Sequence, residues 1–124
     1  MFNVARNKGF QLQLVNGYTV SVQFGPGNYC DVRDANLDPE SDRWSSQTAE
    51  VAAFLTDGVK GSHIDYISID GFTSNDVTGW LSTDEVVEFI SKVAAIPKEK
   101  EVRGFYALVR RIGKIWKGFV SFIS

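Results

Sequence analysis

The chain has 124 residues, 44% of them apolar and 13% aromatic, enough for one domain with a modest core and the wrong composition for a disordered chain. Its net charge of −2 conceals a division: Met1 to Pro97 holds 6 basic and 13 acidic residues (−7), while Lys98 to Ser124 holds 7 basic and 2 acidic (+5). Cys30 is the single cysteine, which excludes an intrachain disulfide and a zinc–thiolate cluster and points to a reducing compartment.

The opening residues, MFNVARNKGF, carry neither the apolar core of a secretory leader nor the glycine of a myristoylation signal. Charges interrupt every apolar run before it can span a bilayer, so a soluble protein is expected. Phe10 to Val15 then alternates Phe10, Leu12 and Leu14 with Gln11 and Gln13, the period of a strand with one buried face. Tyr18 to Phe24 resumes the alternation after Asn16-Gly17, a pair suited to positive φ at both centres of a type I′ turn, so the two runs predict a hairpin. Gly25-Pro26-Gly27 ends the second strand. Asn28 to Gln47 reads as a polar loop. Thr48 to Thr56 fits a strand or, by its alanines, a helix. The Asp57-Gly58 turn and the β-branched Ile64 to Ile69 favour a second hairpin, followed by an irregular connection over Phe72 to Gly79.

Thr83 to Ile96 is the predicted helix. Ser82 and Glu85 make a capping box, Leu81 and Val86 a hydrophobic staple, and Pro97 a stop. Val86, Phe89, Ile90, Val93 and Ala94 form its apolar stripe. The expected fold is therefore α+β: residues 1–97 form an antiparallel sheet of about four strands built from hairpins, with the capped helix packed on it. Residues 98–124 form a second, basic segment. In it Val102, Phe105, Val109, Ile112, Trp116, Phe119 and Ile123 recur at helical spacing, with Arg103, Arg110, Arg111, Lys114 and Lys117 largely opposite. A C-terminal amphipathic helix is expected, although Gly104, Gly113 and Gly118 each weaken an isolated helix by about 1 kcal/mol. Such a segment folds on contact, against its own domain, a second copy, a partner protein or an anionic membrane. Nucleic acid is the weakest of its partners, because the acidic body repels phosphate.

Motifs for catalysis are sparse. Asp34-Ala35-Asn36-Leu37-Asp38 opens like a calcium loop, but Pro39 stands where the loop needs glycine and Ser45 where it needs glutamate. His63 and Asp65 would share one side of a strand, with no nucleophile or metal partner indicated. A Cys30–His63 dyad would require tertiary proximity. No glycine-rich phosphate loop occurs and no cofactor is called for. The turn after the second strand is the better candidate surface: Asn28, Tyr29 and Cys30 on a rigid reversal, near Trp44 and the acidic loop.

Several runs carry a resemblance. Asn7 to Phe10, Asn16 to Cys30 and Thr48 to Ala52, with a weaker continuation through Gly79-Trp80 and the capped helix, resemble small uncharacterised proteins encoded by T4-like tailed bacteriophages. Asp57 to Gly79 is longer than that pattern, and the basic tail is additional. The resemblance implies an accessory protein acting in the cytoplasm of an infected bacterium, and it carries no assigned activity. The combined expectation is a non-enzymatic binding protein that captures or inhibits a host component through the Asn28–Cys30 turn, Trp44 and the tail. A sponge for a nucleotide-like ligand and a peripheral membrane protein are the alternatives, and homo-oligomers fit the first reading as well.

Overall fold

A computed structural model describes residues 1–6, 8–38, 44–98 and 108–112. In chain order the elements are β1 (Phe2–Val4), β2 (Gly9–Gln13), β3 (Tyr18–Gln23), β4 (Ala49–Lys60), β5 (His63–Tyr66), β6 (Thr78–Leu81) and α1 (Thr83–Ala94). The protein is α+β, and the six strands among the described residues pair antiparallel, in the order β1-β2-β3-β4-β5 with β6 also on β4. β4 is long enough for two partners along one edge: β6 pairs with it at Ala49–Val51 and β5 at Phe54–Lys60. The expected four strands thus become six. β1 is too short for an alternating pattern to show, and β6 contains a glycine and a residue with positive φ.

The first hairpin forms as expected but with a different turn. Only Gly17 has positive φ (91°), and Gly17 N–H donates to the Leu14 carbonyl at 3.2 Å, so the loop is the three-residue kind rather than type I′. Freed from the left-handed region, Asn16 turns its amide onto the helix: Nδ2 donates to the Val93 and Ile96 carbonyls, both at 2.9 Å. The Val93 carbonyl also accepts from Ile96 N at 3.1 Å, so the hairpin adds a side-chain donor to the last carbonyls of α1 and closes the helix C-terminus. Asp57-Gly58 also departs from expectation. It lies in a register irregularity of β4 between Phe54 and Val59, and the reversal comes later, where Gly61 has φ 62°.

At the N-terminus of α1, Ser82 Oγ accepts from Glu85 N and Glu85 Oε1 accepts from Ser82 N, the reciprocal bonds of a capping box. These bonds hold the Glu85 carboxyl below the usual carboxylate range. α1 packs on β3, β4 and β6. Phe89 and Val93 are fully buried against Val20, Val22, Val51, Ala53 and Leu81, and Ala49 and Ala53 keep the sheet surface low beneath the helix. Burying a side chain such as Phe89 contributes about 2 kcal/mol, so this face supplies the main driving force for folding. The opposite face of β3 is polar yet closed. Thr19 and Ser21 are buried, the two hydroxyls of Thr19 and Thr56 meet at 2.7 Å, and Gln23 Nε2 donates to Ser21 Oγ at 3.1 Å.

Of the C-terminal helix expected over Val102 to Ile123, residues 108–112 are described and are helical. The rest of that segment lies outside the described residues.

Candidate functional site

The turn after β3 is built by internal hydrogen bonds. Asn28 is buried, its Oδ1 accepts from Gly25 N at 3.1 Å, and its Nδ2 donates to Gln23 Oε1 at 3.0 Å. Cys30 is buried too, and its thiol points at the Gly25 carbonyl, 3.6 Å away. Lys8 Nζ reaches over to the Pro26 carbonyl at 2.6 Å, and Gly27 takes φ 88° to close the reversal. Asn28 and Cys30 therefore spend their polar groups on the shape of the turn. Tyr29, between them, is turned outward.

Four contacts fix Tyr29. Its N–H donates to Glu50 Oε2 at 2.8 Å, and its carbonyl accepts from Trp80 N at 2.9 Å. Gly79 allows this approach, because a Cβ there would overlap the Cβ and carbonyl oxygen of Tyr29. The result is a tilted aromatic pair, Tyr29 and Trp80, with ring centroids 5.6 Å apart and planes at 31°. The Arg33 guanidinium lies over the Tyr29 ring, 5.2 Å from its centroid. Trp80 is 53% exposed and Tyr29 41%, so two large aromatic surfaces face solvent together.

Trp80 has φ 57°, in the left-handed region that a bulky residue rarely occupies. Holding it there costs on the order of 1–3 kcal/mol, and such strain concentrates at working surfaces. The neighbouring Leu81 is the β6 residue that packs inward.

Trp44 lines an apolar groove of ≈ 460 Å³ beside α1 with Phe10, Phe24, Val86 and Ile90, and its Nε1 donates to the Phe24 carbonyl at 3.2 Å. The described lining of that groove includes no charged side chain. The ring that packs on Tyr29 is that of Trp80, while Trp44 lines the groove. The signal for Trp80 was present in Gly79-Trp80: a glycine beside a tryptophan, in a stretch with no buried period.

Of the tail residues proposed for binding, Arg110 and Arg111 are exposed on the helical turn at 108–112. Arg103, Lys114, Trp116 and Lys117 lie outside the described residues. His63 Nε2 and Asp65 Oδ1 are 2.9 Å apart on the exposed β5 hairpin. On the polar face of the sheet, a cleft of ≈ 80 Å³ is lined by Gln11, Gln23, Glu50 and Tyr66. Burial foremost, and then the charges of Asp76 and Glu50, raise the Tyr66 hydroxyl above its ordinary pKa. Among the described residues no group of three or more His, Cys, Asp or Glu is placed to hold a metal ion, and no helix is long and apolar enough to cross a membrane. Comparison with protein-family models, with curated proteins and with solved structures gave no match.

Proposed function

We propose that this chain is a non-enzymatic binding protein, an accessory factor of a tailed phage that captures a host protein through the Tyr29–Trp80–Arg33 corner. The observation that carries the reading is Trp80, exposed and held at positive φ beside Tyr29. Trp, Tyr and Arg are the side chains that dominate binding energy at protein interfaces, where a single truncation can cost 2 kcal/mol or more. Here all three meet on one rigid corner, so little side-chain freedom is lost on binding. For a nucleotide sponge the apolar groove offers no cation for phosphate, whereas a polar cleft of ≈ 470 Å³ lined by Arg6 and Lys8 does.

The test compares wild type with Trp80→Ala and Tyr29→Ala, immobilised at equal loading and exposed to lysate of a T4-like phage's host. A host protein retained by wild type and reduced about 30-fold in affinity by each variant, at unchanged fold, is the expected result. Retention of the same proteins by all three chains would refute the assignment.

A further inference from the structure

The face of the sheet opposite α1 carries polar side chains. Register sets Asn3, Gln11, Ser21 and Ala52 in one row across the strands, and Gly9, Gln23 and Glu50 in another. Side chains alternate along each strand, so these rows point away from Val20, Val22 and Val51, which lie beneath the helix. Ala52 adds only a methyl group to its row and Gly9 adds nothing, which leaves the face hollow. Gln11 lines three clefts there, of ≈ 470, ≈ 270 and ≈ 80 Å³. The largest sits beside the connection between β1 and β2 and is lined by Arg6, Lys8, Gln11, Gln23 and Asn28. No carboxylate belongs to its described lining.

The polar groups of this cleft divide into those the fold uses and those it leaves available. Asn28 is committed to the turn on both sides of its amide. Gln23 is held in place by accepting from Asn28 Nδ2 and donating to Ser21 Oγ, and one of its N–H groups remains. Lys8 Nζ gives one of its three N–H groups to the Pro26 carbonyl. The side chains of Arg6 and Gln11 have no hydrogen-bond partner among the described residues. Arg6 is also held at φ 50°, a left-handed backbone that long side chains seldom adopt. Strain of this kind concentrates where a protein makes contact with something else.

We propose that this cleft binds a small phosphorylated ligand of the nucleotide class, its phosphate on Arg6 and Lys8 and its base against Gln11 and Gln23. Guanidinium and ammonium groups form charge-assisted bonds to phosphate oxygens, about twice as strong as neutral ones. A carboxamide carries a donor and an acceptor side by side, which is the pair a base edge presents. The cleft volume falls in the range of about 300–1,000 Å³ that small-molecule sites occupy. Arg33 and Trp80 do not line it, so this site stands apart from host capture.

Calorimetric titration of the full chain tests the site, with the common nucleoside monophosphates, ribose phosphate and inorganic phosphate as probes. At least one nucleotide is expected to bind about 10-fold more tightly than either smaller phosphate. Arg6→Gln should weaken that nucleotide about 10-fold or more, with an unchanged unfolding midpoint because Arg6 is exposed. Gln11→Ala should weaken the nucleotide about 5-fold and leave inorganic phosphate unaffected. Lys60→Gln removes an exposed cation outside the cleft and should leave the affinity within about 2-fold. No binding of any nucleotide at millimolar concentration would overturn the proposal. Equal affinity in Arg6→Gln and wild type would also overturn it, by placing phosphate on another basic surface. Inorganic phosphate bound as tightly as every nucleotide would refute the role of Gln11 and Gln23.

Discussion

Two aromatic pairs in this molecule have the same separation and opposite fates. Phe72 and Phe89 stand 5.6 Å apart at 67°, with Lys92 Nζ 5.1 Å from the Phe72 centroid. Tyr29 and Trp80 also stand 5.6 Å apart, at 31°, with Arg33 over Tyr29. The chemistry is alike: two rings and a cation. What differs is cover and strain. Phe89 is fully buried within a regular helix, whereas Trp80 is half exposed and sits at a left-handed φ. The first pair lowers the free energy of the fold. The second is maintained by the fold at some expense in stability, of the order of 1–3 kcal/mol for the left-handed backbone. Ring geometry alone therefore does not separate the two pairs; burial and backbone strain do.

The largest effect should come from breaking the inner pair. Phe89→Ala removes a fully buried ring and is expected to destabilise the protein by about 3–5 kcal/mol, read from denaturant unfolding. Gly79→Ala attacks the outer pair through its backbone. A Cβ at 79 collides with Tyr29, so a loss of about 1–3 kcal/mol is expected, together with a changed near-ultraviolet signal from Trp80. Ser82→Ala loosens the helix that carries the inner pair without touching either set of rings, and about 1 kcal/mol is expected. That last substitution also carries a pH signature. Glu85 is held below its unfolded pKa by Ser82, so its contribution is present above the unfolded value and lost as pH falls through the lower, folded value. Wild type should therefore lose this stability between those two values, and Ser82→Ala should show a shallower acid limb.

The regular elements were readable from the residues because their signals are local. FQLQLV and YTVSVQF each alternate over enough residues to show a period, and Ser82 with Glu85 announces the helix before it begins. β1 offers three residues, too few for a period, and β6 hides behind Gly79. The Asp57-Gly58 pair reads as a reversal, yet β4 runs through it because β5 pairs on both sides of the irregularity. At the candidate site, Tyr29 could be read as a turn aromatic. Gly79-Trp80 stood out in the sequence, but its pairing with Tyr29 did not, since Trp80 lies 51 positions away and meets it through a hydrogen bond from Trp80 N to the Tyr29 carbonyl outside the strand ladders. Trp44 was the nearer aromatic in sequence, and the hydrogen bond to Phe24 draws it to the groove instead.

The most direct test of the central claim is the unfolding free energy of Trp80→Asn measured beside its capture of a host partner. Asparagine tolerates positive φ, so a stability within about 1 kcal/mol of wild type, or slightly above it, is expected together with loss of capture. A loss of 2 kcal/mol or more with capture intact would make Trp80 a structural residue and contradict the account.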